Sequence, residues 1–317
     1  MLTTEQIKNQ ISNVLEKTDF KIGKRYQGKV RDNYFEEDKL VIVVTDRISC
    51  FDSVIGTIPF KGQALNQMAA FWFDRTKDIV QNHVKDIPDP NVMVVKKCEP
   101  IPIEVVVRGY MTGSLWRDYE KGGRDMYGFE FNERIMKNQL FETPMLTPTT
   151  KATEGHDLPI SKEEIIKQGV VSKELWDEIE NTALRLFERG TEVCRDQNLI
   201  LVDTKYEFGL IDGKLVLMDE IHTPDSSRFW YQDTYNESFN KVEDPKQLDK
   251  EYIRQWLIKK RNYIGDGPIP KLSDEVIIEA ARRYIEIYEQ ITGKDFEITD
   301  DPINKRVEDN LKKNGYI

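Results

Sequence analysis

Cysteine is scarce in this chain: Cys50, Cys98 and Cys194 are the three in 317 residues, widely spaced and without a C-x-x-C pair. An odd, dispersed set excludes a disulfide scaffold and reads as reduced, buried thiols in a cytoplasm. Histidine is equally rare. His83, His156 and His222 are scattered, which argues against a zinc site. No apolar run reaches the roughly 18 residues a membrane span needs. The opening stretch MLTTEQIKNQISNVLEK lacks a basic region followed by an apolar one, so it is not a secretory signal. Its Ile7, Ile11 and Leu15 recur at helical spacing behind a threonine, which predicts a surface helix. Positive charge is also in short supply. Against 56 acidic residues stand 46 Lys and Arg, and the net −10 argues against a nucleic-acid surface while leaving room for a local basic cleft. Internal repeats and low-complexity segments are absent.

What is present is ordinary soluble composition, 39% hydrophobic and 32% charged, with length for a sizeable core. Residues 21–45 read as a three-stranded meander. KIGKRYQGKVRDNYF turns at Gly28-Lys29, EEDK turns again, and LVIVVT is a fully apolar strand. GQALNQMAAFWFDRTKDIV has helical periodicity and VMVVKK is another strand. CEPIPIEVVVRG places two prolines ahead of a strand, which suits a hinge; we set a boundary near Cys98, dividing the chain into 1–98 and 99–317. The Thr-, Pro- and Gly-rich stretch up to Ser161 predicts a long functional loop. Ser161 with Glu164 forms a capping box ahead of a long helix over about 172–195. Two helices are expected after Phe239, the second capped by Ser273 and closed by Gly293. The order of elements predicts an α+β fold in two lobes, an antiparallel-sheet lobe first and a mixed lobe second.

Three places carry chemistry. In LVDTKYEFGLIDGKLVLMDE, strand alternation puts Asp203, Lys205 and Glu207 on one face and apolar residues on the other. Asp212-Gly213 signals a tight turn. A two-residue loop pairs Lys205 with Glu220. One extra residue at Gly213 instead sets Asp219 opposite Glu207, with Cβ atoms about 5 Å apart. Either register gathers carboxylates around one lysine, which suits Mg²⁺ as well as a solvated charged sheet face. The second place is Gly28-Lys29-Val30-Arg31-Asp32, where a glycine turn with two cations on alternate positions can lie over phosphates, or be an exposed basic hairpin. The third is PIEVVVRGYMTGSLW. There Arg108 leaves an apolar strand into a turn with Thr112, Gly113 and Ser114, a combination that binds a phosphate monoester or simply ends a strand at the surface.

Taken together these segments resemble the SAICAR synthetase (phosphoribosylaminoimidazole-succinocarboxamide synthase) family, in its longer form. PIEVVVRGYMTGS and LVDTKYEFG resemble its two signatures; GKVRD, TDRISCFD, TPTTKATEGHD and MDEIHTPDSSRFW follow the same pattern, so the likeness spans about Gly23 to Trp256. The resemblance implies two lobes distantly similar to protein kinases and ATP-grasp enzymes, with 1–98 covering ATP and 99–317 holding substrates and metal. It implies small-molecule substrates only: ATP, L-aspartate and a carboxyaminoimidazole ribonucleotide, with no nucleic acid and no membrane. Residue by residue it places Gly28, Lys29 and Arg31 over the ATP phosphates and Glu99 beside the adenine. It gives Glu207 and Asp219 to Mg²⁺, which favours the bulged register. Arg108, Ser114 and Arg228 hold the ribonucleotide phosphate. Lys205, Asp225 and Ser226 handle the acidic substrates, and Lys151 and Asp157 lie in a covering segment. Lys205, Lys29 and Arg31 are the expected catalytic cations. Cys50, where a smaller residue is usual, reads as a packing change. Two other classes fit parts of the pattern: a kinase acting on a hydroxyl with Asp203 or Asp225 as base, and a non-catalytic nucleotide-binding regulator.

Overall fold

The computed structural model describes residues 2–151, 157–248, 250–299 and 301–317. His156 and the centre of TPTTKATEGHD lie outside them.

A short helix, α1 (Thr4–Asn9), is closed by a capping box between Thr3 and Gln6. The meander follows as β1 (Lys24–Gln27), β2 (Arg31–Phe35) and β3 (Lys39–Val44), then a hairpin of β4 (Arg47–Cys50) and β5 (Ser53–Thr57), then α2 (Lys61–Arg75). Next come β6 (Gln81–Asn82), β7 (Val84–Asp89), β8 (Val92–Lys96) and the long β9 (Glu99–Tyr110). Beyond it lie α3 (Gly113–Glu120), β10 (Asp125–Met126), β11 (Phe129–Glu130), β12 (Leu140–Leu146) and β13 (Thr149–Thr150). Two capped helices, α4 (Lys162–Lys167) and α5 (Lys173–Asp196), lead to β14 (Leu199–Ile211), β15 (Lys214–Met218) and β16 (Ser227–Tyr231). The chain finishes through α6 (Gln232–Asn240), α7 (Glu251–Arg261), α8 (Asp274–Thr292) and α9 (Ile303–Lys313).

These strands build two main sheets. The first runs β1-β2-β3-β8-β7 and is antiparallel throughout. The second runs β12-β9-β14-β15-β6, with β13 on β9 and β16 on β14. The apolar run in β3 has a plain cause: both faces of the first sheet are covered. Ile42 and Val44 enter the main core beneath α2, while Val41 and Val43 face a second cluster with Ile303, Val307 and Leu311 of α9. In the second sheet, α5 lays Ile179, Leu186 and Phe187 over β14 and β9, started by the Ser172 side chain accepting from the Leu175 N–H. Among the described residues no helix is long and apolar enough to cross a membrane.

Several expectations need correction. The first helix stops at Asn9, so Ile7 joins the main core while Leu15 joins the second. Pro100 and Pro102 lie within β9 itself, near the point where its ladder with β14 shifts register between Glu207 and Gly209. Much of the expected loop is strand, because β12 and β13 cover the free edge of β9. Among the described residues three helices, not two, follow Phe239. The last returns to the first sheet, where Arg306 grips Asp89 at 3.2 Å and Asn310 donates to it at 2.7 Å.

Candidate active site

Two charged rows cross the same face of the second sheet. In the first, Asp203 of β14 stands opposite Arg108 of β9 on one side and Arg228 of β16 on the other. Its carboxylate accepts from the Arg108 Nη1 at 3.3 Å and from Arg228. Arg108 also donates from Nε to Thr147 Oγ1 at 2.8 Å and from Nη2 to Ser114 Oγ at 3.0 Å. Burial pulls the Arg108 guanidinium below its ordinary value, and Asp203 opposes the fall. Gly113 opens α3 at φ 63°, and a Cβ there would sit 2.6 Å from the Arg228 guanidinium, so only glycine fits. Two arginines, a serine and a helix N-terminus thus converge around one acid, which makes an anion site.

The second row lies four residues further along each strand, on the same face. Glu207 of β14 is directly opposite Glu104 of β9. Lys205 joins them, with Nζ 2.7 Å from Glu104 and 2.6 Å from Glu207. Lys151 also pairs with Glu207, while Asp157 is exposed and adds negative potential at Glu104. Burial lowers the affinity of Lys205 for its proton, but Glu207, Asp219 and Glu104 outweigh it and the net shift is upward. Glu104 moves up, mainly through burial, against the pull of Lys205.

Asp219 arrives by a different route from the one expected. The hairpin takes the two-residue turn, with Asp212 at φ 53° and Gly213 at φ 72°, so Ile211 pairs with Lys214 and Glu207 with Met218. The bulged register is not formed, and regular pleating would send Asp219 to the opposite face. Instead β15 ends at Met218 and Asp219 takes a left-handed backbone at φ 68°. Its carboxylate pairs with Arg31 of β2, which also reaches Glu220 at 3.0 Å. Burial raises the Asp219 carboxyl, yet Arg31, Lys205 and Lys151 together bring it down to about 2. Burial likewise opposes the proton on Arg31, but Asp219 and Glu220 win and its value rises. Because Lys205 and Lys151 act on both acids, Glu207 and Asp219 share one neighbourhood.

That pair is a hard, all-oxygen donor set of the kind Mg²⁺ takes, with further ligands from phosphate and water. Among the described residues no group of three or more metal-ligating side chains assembles, so the protein alone offers no closed cage. The Gly28 turn precedes Arg31, and its Lys29 lines a cavity beside the first row. The Gly28 N–H donates to the Arg31 carbonyl at 2.8 Å, and half-exposed Lys29 pairs with Asp52. Glu99 is exposed at the start of β9, backbone-paired with Leu210 and not drawn into either charged row.

A cavity of about 420 Å³ adjoins the first row. Its wall includes Lys29, Asp203, Ser226 and Arg228, together with Phe51, Lys250 and Arg254. Ser226 accepts the Lys205 N–H on its carbonyl at 3.0 Å and packs its hydroxyl 3.2 Å from that of Thr223. Asp225 lines the cavity too, but its carboxylate is turned inward. It meets Lys61 Nζ at 2.8 Å and the Tyr284 hydroxyl at 2.7 Å. Burial raises the Asp225 carboxyl, and Lys250 and Lys61 override it to hold the group well below the usual range. Cys50 sits in the same wall with its thiol pushed up to about 11 by burial, as a packed and unreactive side chain would be.

Sequence reasoning missed Glu104, Lys61 and the cations of α7. Glu104 had a visible signal: in PIEVVVRG it lies four residues before Arg108, hence on the same strand face. Lys61 had none, because its partner is 164 positions away in the chain.

Comparison with known proteins supplies a context for this arrangement. The sequence profile described as SAICAR synthetase matches residues 24–268. A protein of Legionella pneumophila (strain Lens), named phosphoribosylaminoimidazole-succinocarboxamide synthase, is 46% identical over 305 residues, covering 94% of this chain and 97% of its own. The solved SAICAR synthase of Saccharomyces cerevisiae, complexed with SAICAR, superposes with a TM-score of 0.79 at 31% identity, over 90% of this chain and all of that one. A SAICAR synthetase in complex with ADP superposes at 0.68 with 26% identity, over 87% of this chain.

Proposed function

The chain belongs to the SAICAR synthetase family, and on that premise we propose how its own residues carry the reaction. It is an ATP-dependent ligase of purine biosynthesis. It joins the amine of L-aspartate to the carboxylate of the carboxyaminoimidazole ribonucleotide and releases ADP and phosphate. A carboxylate is a poor acyl donor, since oxide would have to leave. In our reading a carboxylate oxygen takes the terminal phosphoryl group of ATP, ADP departs, and the amine nitrogen then displaces inorganic phosphate from the acyl carbon and sheds its proton.

Arg108, Ser114, Arg228 and the start of α3 hold the ribonucleotide phosphate. Asp203 pairs with both arginines and offsets part of their charge before the substrate arrives. Lys205 stands between the acids and the reacting carboxylate, where its raised proton affinity keeps it cationic. Arg31 and Lys29, with the Gly28 turn, lie over the ATP phosphates, and Glu99 lies beside the adenine. Glu207 and Asp219 would hold Mg²⁺, which would supply charge to offset that of the phosphates. Lys151 and Asp157 border the covering segment. Asp225 and Ser226 shape the turn that carries Arg228. No side chain is covalent; placement and charge supply the rate. The observation that carries the reading is the pair of charged rows on one sheet face, one built for a phosphate and the other for a cation-bridged acid cluster.

The kinase alternative loses its base, because Asp203 is held by two arginines and Asp225 by Lys61 and Tyr284. The lobe boundary we propose falls near Cys98, with 303–313 added to the first lobe. Three free thiols are in keeping with a cytoplasmic, reducing location. The test is an assay of ADP release with the ribonucleotide, L-aspartate and Mg-ATP, omitting each in turn. Sustained release needing all three supports the proposal; release that persists without aspartate overturns it in favour of a kinase. Nucleotide binding without turnover would mark a regulator.

A further inference from the structure

The roles proposed above leave Arg47 unused, although this charged residue is only 4% exposed. It opens β4 in the segment TDRISCFD, two residues after Thr45. Its guanidinium is spent on the inner side of the Gly28 turn. Nε donates to the Lys29 carbonyl at 3.0 Å and Nη2 to the Gly28 carbonyl at 3.1 Å. Nη2 also meets Asp32 at 2.8 Å, and Nη1 donates to the Glu16 carbonyl. Thr45 takes the next carbonyl of the turn: its N–H and its hydroxyl both donate to that of Val30, at 3.1 and 2.8 Å. Three consecutive carbonyls are therefore turned into the protein. Burial raises the Asp32 carboxyl, but Arg47 and Thr18 outweigh it, so the ion pair behind the turn stays charged.

A trans peptide is planar, with its C=O and N–H pointing opposite ways. Holding the Gly28 and Lys29 carbonyls inward turns the Lys29 and Val30 N–H groups outward. Among the described residues neither of these N–H groups donates to a protein acceptor. Two adjacent outward donors on one turn suit an anion with several oxygens. The hairpin that begins at Arg47 also reaches the turn from its other end. Phe51 and Asp52 form its tip with left-handed backbones at φ 51° and 62°, where Asn-Gly is the ordinary choice. That strained tip brings Asp52 to the Lys29 ammonium.

We propose that Arg47 is a positioning residue for nucleotide: its buried fork fixes the peptide planes of the Gly28 turn so that the Lys29 and Val30 N–H groups face the ATP phosphates. The β4–β5 hairpin then acts as a clamp, with Arg47 on the main chain of the turn and Asp52 on its lysine, and the turn is a preset cradle and not a loose flap. The proposal rests on the reading above that this turn lies over the ATP phosphates.

The experiment is steady-state kinetics on the full chain, varying each substrate in turn, with thermal melting alongside. Arg47→Lys keeps a cation beside Asp32 and loses the fork. It raises the KM for ATP about tenfold, the scale of one lost charge-assisted hydrogen bond, and leaves the KM values for L-aspartate and the ribonucleotide within about twofold. The inhibition constant of ADP against ATP rises in parallel. A purely structural Arg47 would instead lower the melting temperature and the fraction of active enzyme, which moves kcat and none of the KM values; that outcome overturns the proposal. A rise confined to the ribonucleotide KM overturns it too, because Lys29 also lines the 420 Å³ cavity. Should Arg47→Lys not fold, Thr45→Val removes one tie to the Val30 carbonyl at nearly constant shape and must raise the ATP KM in the same selective way. A wild-type enzyme with no ATP-dependent turnover would end the ligase reading and this proposal together; normal wild-type turnover with an unmoved ATP KM in the variants ends the proposal alone.

Discussion

Glu207 faces Glu104 directly across the β9–β14 ladder, and a single lysine, Lys205, binds both at 2.6 and 2.7 Å. Like charges opposite one another destabilise a sheet. A fold that keeps such a pair beside a partly buried lysine is spending stability on a site.

Replacing Glu207 by Gln removes that repulsion with almost no change of shape. The melting temperature is expected to hold or rise slightly. Metal-dependent ADP release should fall on the order of 10²–10³-fold, the scale for losing one preorganised charge at the reacting centre. Thermal melting alongside the ADP assay checks both halves, and an active Gln variant contradicts the assigned role.

Arg108→Lys keeps the charge and loses the fork. Arg108 serves Thr147, Ser114 and Asp203 with three separate nitrogens, which one ammonium cannot copy in place. The KM for the ribonucleotide should rise about tenfold or more, a loss of roughly 1.4 kcal/mol. The KM for ATP should stay put. Equal KM values for wild type and variant would remove Arg108 from the phosphate site.

Lys61 and Asp225 form an ion pair that is 0% and 5% exposed at the side chains. Lys61→Met leaves the buried Asp225 carboxylate with Lys250, 3.8 Å away, as its remaining cation and should cost about 3 kcal/mol in denaturant unfolding, the low end for a broken buried pair. Adding Asp225→Asn should recover much of that, because the poorly compensated charge disappears while Tyr284 keeps a partner. Two losses that simply add would show that the pair is not coupled.

Acid stability should report two buried histidines. Burial holds His83 down at about 4 and His222 at about 3, the latter with its Nε2 2.6 Å from the Tyr206 hydroxyl. Both are neutral when folded and take up protons near pH 6.5 when unfolded. The unfolded state therefore binds more protons between those values. Stability is complete above about pH 6.5 and falls on acidification toward pH 4, by about 1.4 kcal/mol per pH unit for each histidine. Unfolding free energies at pH 7, 6, 5 and 4 would show it, and His222→Gln should lower the slope by one proton.

Much of this was legible in the sequence, and the failures have physical causes. The apolar β3, the glycine turn before β2, the serine-capped α5 and the charged face of β14 all follow from local rules, and each is present. The approach of Asp219 was not legible by such rules. It depends on a left-handed residue at the end of β15, which Arg31, arriving from the other sheet, stabilises by pairing. Periodicity in one strand cannot report a partner 188 positions away. The helix α9 was missed although Ile303, Val307 and Leu311 repeat at four-residue intervals, because the segment is short and mostly charged. Its apolar stripe acquires meaning once the outer face of the first sheet is seen to need a cover.

Part of that cover is made late in synthesis. Val41, Val43, Val92 and Val94 are made early with Leu15 and Ile22, yet three of the side chains that shield them, Ile303, Val307 and Leu311, follow more than two hundred residues later. During synthesis the first sheet must wait for more than two hundred further residues with part of that flank uncovered, so the nascent enzyme is most prone to aggregation or chaperone capture until the eleven-residue α9 emerges and docks.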